Sequence, residues 1–211
     1  MNKRITGLIL IFTFLLVIPL QADAATPKET VETGVNKVIA TLSDPAFKAK
    51  PKDQQIAAIS AEIESVFDFQ ELSRRTLGKQ WKKMSAEQQT EFVDLFTKLL
   101  QGVYADRLLA YSDQKVLFDK ETMLKKGSAE VQSFLQTSDG TKVPLFYRLT
   151  DKSGSWKVYD VIIEGVSMVK NYRTQFRDIL SKDSPEKLLE ILREKNQKEL
   201  SRRANIRRRD G

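Results

Sequence analysis

Between Trp156 and Leu180 the sequence WKVYDVIIEGVSMVKNYRTQFRDIL changes its hydrophobic period once, from two residues to 3.6. Trp156, Val158, Asp160 and Ile162 alternate with Lys157, Tyr159, Val161 and Ile163, so both faces of a strand carry large apolar groups. Glu164-Gly165 breaks the run. Val169, Tyr172, Phe176, Ile179 and Leu180 then recur at helical spacing, with Lys170, Arg173, Arg177 and Asp178 between them. A strand without a wet face that feeds an amphipathic helix calls for a sheet with a helix folded across it. Val166, Met168 and Val169 sit at the joint.

The rest of the chain fits around that unit. Thr26-Pro27 reads as a helix cap followed by Pro at the first helical position, and Val31, Val35, Val38, Ile39 and Leu42 form the stripe behind it. Asp44-Pro45 ends this helix, and 46–52 reads as a loop. Ile56, Ile59, Ile63, Val66 and Phe67 predict a second helix; Phe69, Leu72 and Leu77 predict a short third, stopped by Gly78. Ser85 with Gln88 is a capping box that opens a long helix to about Tyr111. Phe92, Leu95, Phe96, Leu99, Leu100, Val103, Tyr104, Leu108 and Leu109 cover more than half its circumference, so it must be enclosed by other elements or line something apolar.

After Ser112-Asp113 the period becomes two. Strands are expected over 115–119, 129–136 and 143–150, with tight turns at Ser138-Asp139-Gly140 and Asp151-Lys152-Ser153-Gly154. Pro144 implies an edge or a bulge. Short turns make an antiparallel meander. A last helix opens at Ser184-Pro185. The fold expected is α+β: a curved four-stranded antiparallel sheet wrapped by six or seven helices, one domain over 25–200.

The chain has neither cysteine nor histidine. That excludes thiolate nucleophiles, disulfides, Ser-His-Asp triads and His-based metal sites. Residues 1–24 read as a cleavable signal peptide: a basic Met1–Arg4, an apolar Ile5–Leu20, and small residues at Ala22 and Ala24 before a cut at Ala25. Export to a bacterial periplasm is expected, and nucleic-acid binding is not. Much of the formal charge of +7 lies after Ser201, where Arg202, Arg203, Arg207, Arg208 and Arg209 face Asp210; 201–211 is expected to be a basic disordered tail.

Little is left for catalysis. Asp160 and Glu164, four apart, offer a carboxylate pair, but a buried partner for an Arg or an amide and a strand-end cap explain them better. Arg74-Arg75 and Tyr147-Arg148 offer forks for a phosphate, or salt bridges to nearby carboxylates. Trp81 and Trp156 read as core anchors. A binding protein is expected before an enzyme.

The segments FDFQELSRRTLGKQWKKMSAEQQTEFVDLFTKLL (67–100) and VPLFYRL…GSWKVYDVIIEGVSMVKNYRTQF (143–176), with Tyr104 and Tyr111 between them, resemble the MlaC family of toluene-tolerance auxiliary proteins. The similarity runs from about Val31 to Leu192. It implies a periplasmic, soluble and monomeric carrier with phospholipid as cargo and no other cofactor. The carrier would shuttle between an outer-membrane lipoprotein–porin complex and an inner-membrane ABC transporter bearing an MCE-domain ring, and so maintain outer-membrane lipid asymmetry. It also implies a large apolar cavity for the acyl chains.

The physical demand agrees. Each buried methylene is worth about 0.8 kcal/mol, so two acyl chains need an apolar solvent worth upwards of ~20 kcal/mol. The surplus apolar surface of the long helix and of the Trp156 strand suits that need. The pocket expected uses Phe96, Leu100, Val103, Tyr104 and Leu108 from the helix, and Phe146, Val161 and Ile163 from the sheet. Val166, Met168, Val169 and Tyr172 form its mouth and wall. If the other strand face looks inward, Val158 and Ile162 replace Val161 and Ile163. Arg148 is the headgroup candidate. A secreted carboxylate-dependent hydrolase and a periplasmic chaperone or adaptor are the alternative functions.

Overall fold

The computed structural model describes residues 25–111, 114–125 and 127–207. The signal-peptide segment lies outside them.

Helix α1 (Pro27–Ser43) begins where the sequence places it. Thr26 Oγ1 accepts from Glu29 N at 3.1 Å and Glu29 Oε2 accepts from Thr26 N at 2.8 Å. Asp44 caps a single further turn, α2 (Pro45–Lys48), within the stretch expected as loop. Pro45 pre-sets the first helical φ there, and the Asp44 side chain accepts from Ala46 N. Helices α3 (Lys52–Val66) and α4 (Phe69–Leu77) follow; Gly78, at φ +55, ends α4. A 3-10 segment (Gly78–Lys83) leads to α5 (Ala86–Leu109), opened by the Ser85/Gln88 capping box.

The sheet is an antiparallel meander in the order β1-β2-β3-β4-β5: Lys115–Lys125, Ser128–Gln136, Lys142–Lys152, Ser155–Ile163 and Val166–Ser167. It has five strands, not four. Glu164 (φ +50) and Gly165 (φ +81) take the two positive-φ positions of a tight hairpin turn, which returns Val166 to pair with Ile163. The same geometry at Ser153 (φ +54) and Gly154 (φ +83) joins β3 to β4. Pro144 stands in a central strand rather than at an edge. Its carbonyl accepts from Glu164 N, so its nitrogen faces the β4 side beyond Ile163, where that ladder has ended and no donor is required. Two register shifts in β1 and one between β3 and β4 curve the sheet.

The shift in β4 settles which strand face is inward. Arg148 pairs with Asp160 but Leu149 pairs with Val158, so Tyr159 is an extra residue. The inward set is therefore even-numbered before the bulge and odd-numbered after it. Trp156, Val158 and Val161 all join one apolar cluster. Neither strict alternation read from the sequence holds across the whole strand.

Helix α6 (Met168–Leu180) crosses the end of the sheet, and α7 (Pro185–Arg207) packs along α5. Helix α7 continues through Arg207, seven residues into the segment expected as a disordered tail. Arg202 donates to Asp106 and Glu199, and Arg203 donates to Glu199 and to the Gly102 carbonyl. Lys52 pairs with the same Asp106, so this network ties α3, α5 and α7 together and holds the Asp106 carboxyl below its ordinary range.

Helices α1 and α3 approach most closely at Gly34, where a Cβ would stand 2.5 Å from Val66 Cγ2. Both backbones are held by neighbours, so the contact cannot relax freely. Gly34→Leu is expected to cost at least about 2 kcal/mol by overpacking. The check is thermal unfolding; an unchanged midpoint would mean that α1 can shift off α3.

Candidate functional site

The apolar interior is divided. One cluster joins α4, α5, α6 and α7, with Leu72, Phe92, Phe96, Tyr172, Phe176, Leu188, Leu189 and Leu192 buried together. A second sets Val31 of α1 on Val131, Tyr147, Leu149, Val158 and Val161 of the sheet. A third joins Leu42, Phe47 and Ile59, with Leu108 and Leu109 at its edge. Phe67 and Met168 pack against both of the first two. A single domain ordinarily has one contiguous core with small satellites. Here helix α5 contributes to the first and third clusters but not to the sheet cluster, so the long helix and the Trp156 strand are not pressed together.

The reason lies along α5. Phe92, Phe96, Leu99 and Val103 succeed one another at helical spacing on one face. Helix α6 covers the first part of that face and runs antiparallel to α5. Phe176 meets Phe92 at 5.4 Å and Phe96 at 5.1 Å, and Tyr172 meets Phe96 at 4.8 Å. Cover stops where α6 begins. Beyond that point the same stripe is open at Val103, which is 45% exposed, and the flanking Tyr104 is half-buried. The hairpin that leads into α6 likewise leaves Ile163 41% and Val166 62% exposed. Burial pushes the Tyr172 phenol up to about 12, and the nearby Tyr104 adds to the shift. Tyr104 packs at the edge of the cluster to which Tyr172 belongs, at the join between the covered and uncovered parts of the face.

The start of α6 is fixed from beneath. Asp160 is 2% exposed; its Oδ1 accepts from Val169 N at 2.9 Å and its Oδ2 from Ser167 Oγ at 2.6 Å. Ser167 Oγ in turn caps Lys170 N. Asp160 thus anchors the joint, while Glu164 sits exposed in the turn. The two do not work as a pair.

Of the residues expected to line a pocket, Val103, Tyr104, Ile163, Val166 and Met168 are brought to partly uncovered surface, Val161 to the sheet cluster, and Leu108 to the edge of the third cluster with Leu42, Phe47 and Ile59. Phe96, Leu100, Val169 and Tyr172 lie inside the packed first cluster. Phe146 and Arg148 are on the opposite sheet face, because Tyr147 between them points into the second cluster. Phe146 stacks edge-on with Phe134 there. Arg148 is spent on Glu130 at 3.0 Å, with Asp160 at 3.9 Å, so it is not free for a headgroup. Arg74 and Arg75 are likewise held by Glu71. Leu145 and Phe118, which pack at the edge of the second cluster, were missed; their strand parity relative to Tyr147 was the available signal.

A groove of about 540 Å3 lies elsewhere, between the α3–α4 junction, α5 and the β3–β4 turn. Its lining mixes Phe67 and Phe69 with Glu64, Asp68, Asp94, Lys152 and Lys157, and none of the residues expected to line a pocket borders it. No group of three or more acidic residues that could hold a metal ion occurs among the described residues.

A curved open sheet whose helices leave one apolar face uncovered defines a class: a small α+β binding domain with an incomplete core. The chain belongs to the MlaC family, whose model matches residues 32–194. It is 26% identical over 194 residues to the intermembrane phospholipid transport system binding protein MlaC of Haemophilus influenzae, covering 90% of this chain and 91% of that one. It is 26% identical over 177 residues to the toluene tolerance protein ttg2D of Pseudomonas putida, covering 82% of each. Among solved structures, the phospholipid-binding protein of Ralstonia solanacearum in complex with a phospholipid superposes with a TM-score of 0.76 at 29% identity. That match covers 83% of this chain and 99% of the other. The first of these is named for phospholipid transport and the last for phospholipid binding.

Proposed function

We propose that this protein is a periplasmic phospholipid carrier. It takes acyl chains against the uncovered part of α5 and the inner sheet face, and passes lipid between an outer-membrane lipoprotein–porin complex and an inner-membrane ABC transporter with an MCE-domain ring. The observation that carries the reading is the apolar surface left open on α5 at Val103 and on the Ile163–Val166 hairpin. Apolar surface left to water costs about 25 cal/mol per Å2, and hydrocarbon chains recover that cost on binding. The likeness to a phospholipid-bound structure supports the same reading.

The lining proposed is Val103, Tyr104, Val161, Ile163, Val166 and Met168; Leu108 turns instead to the third cluster. The deeper Phe96, Leu100, Val169 and Tyr172 form the packed wall behind it. The cleft as it stands is open rather than closed, so lipid entry is expected to draw α5 and the hairpin around the chains. Native mass spectrometry of protein purified without detergent tests the proposal. Bound phospholipid is the expected result; protein that is lipid-free and takes up none from vesicles would overturn it.

A point variant sharpens the test. Val166 is exposed, so Val166→Glu should fold with an unchanged unfolding midpoint. Lipid binding should nonetheless fall by on the order of tenfold, because acyl chains would have to desolvate a carboxylate. Full lipid occupancy in this variant would remove Val166 from the mouth.

A further inference from the structure

Among the described residues, the arginines other than Arg107 whose side chains are described are each committed to an oxygen of the protein. Arg74 and Arg75 hold Glu71, Arg148 holds Glu130, and Arg173 donates twice to the Arg75 carbonyl. Arg177 pairs with Asp178, Arg193 with Glu91 and Glu186, and Arg202 and Arg203 with Glu199. Arg107 has no such partner. Its guanidinium lies over the Tyr104 ring, 5.8 Å from the centroid. The adjacent carboxylate, Asp106, is already held between Lys52 and Arg202 on another side of the helix.

The position of Arg107 gives this freedom a use. It follows Val103 by four residues and Tyr104 by three, so it stands one turn further along the uncovered face of α5. A lipid held by its chains along that face would leave its polar part beyond Val103, where Arg107 stands. A guanidinium offers a planar fork that fits two phosphate oxygens. Held beside an aromatic ring, it loses less freedom when it engages.

We propose that Arg107 binds the phosphate of the bound lipid, with Tyr104 as the platform beneath its guanidinium. This rests on the phospholipid reading above and adds to it a residue that discriminates phospholipid from lipids without phosphate, such as free fatty acid. The chemistry at Arg107 is that of a phosphate ester, and inorganic phosphate is the other source that could supply it.

The test compares wild type, Arg107→Gln and Arg107→Lys, loaded from vesicles of phosphatidylglycerol and read by native mass spectrometry. Parallel loading uses a fatty acid, and a third arm adds inorganic phosphate. Arg107→Gln should retain phospholipid on the order of tenfold less well while fatty-acid uptake is unchanged. Arg107→Lys should recover part of the loss, since a point charge replaces the fork. Inorganic phosphate should not compete. A loaded wild type with an equally loaded Arg107→Gln would overturn the role of Arg107 and leave the carrier reading intact. Loss of fatty-acid uptake in parallel would reduce Arg107 to a structural part of the cleft, and competition by inorganic phosphate would assign it to free phosphate. A wild type that takes up no phospholipid would instead sink the carrier reading itself.

Discussion

Phe96→Ala should lower stability by about 3 to 5 kcal/mol. Phe96 is fully buried, and its ring meets Phe92 at 5.5 Å, Tyr172 at 4.8 Å and Phe176 at 5.1 Å. Truncation would open a hole between α5 and α6 that three neighbouring rings cannot fill by small rotations. For a chain of this length each kcal/mol shifts the unfolding midpoint by roughly 2–4 °C, so a drop of about 10 °C is expected. The result separates two roles for this side chain. As a member of the packed wall, Phe96 is needed for the fold. As a lining residue in direct contact with lipid, its loss would leave the lipid-free protein nearly as stable and weaken only binding. Calorimetry on delipidated protein distinguishes them, and a midpoint within a degree or two of wild type would contradict the packing described.

Asp160→Ala should cost roughly 2 to 5 kcal/mol. The substitution strands the Ser167 hydroxyl and the Val169 amide, both buried, and takes a negative charge from the N-terminus of α6. Asp160→Asn keeps one acceptor and should lose less. Because Asp160 is the tie between β4 and the first turn of α6, the loss should be local as well as global. Amide hydrogen exchange is expected to rise first at 167–170, beside the mouth, and lipid should exchange faster. Equal protection of that turn in wild type and Asp160→Ala would mean that the carboxylate does not hold the joint.

Much of this was legible along the chain because it depends on near neighbours. The capping boxes at Thr26/Glu29 and Ser85/Gln88, the turn at Ser153-Gly154 and the change of period at Glu164-Gly165 all act within a few residues. The over-apolar α5 was legible as well, since such a helix has to be enclosed or line something apolar: α3, α4 and α7 pack on it, and α6 lays Tyr172 and Phe176 against Phe96. Asp160 was also readable as a buried carboxylate with an amide partner.

What escaped depended on alignment between distant segments. The parity of β4 failed at one inserted residue, Tyr159, whose presence shows only in the pairing with β3. Arg148 could have served a phosphate or a salt bridge until the register placed Glu130 and Asp160 beside it. Arg202 and Arg203 looked like a loose basic tail until α7 brought them to Asp106 and Gly102.

The sequence by itself determined where most helices start and where the sheet turns, that the chain is α+β, and that it has more apolar surface than one compact core requires. Only the tertiary structure decided which of that surface is packed and which is left open. Phe96 and Val103 share one helical stripe, yet α6 starts at Met168 and so covers the first and not the second. Periodicity fixes the direction of a side chain, but the extent of a neighbouring element decides what that side chain meets.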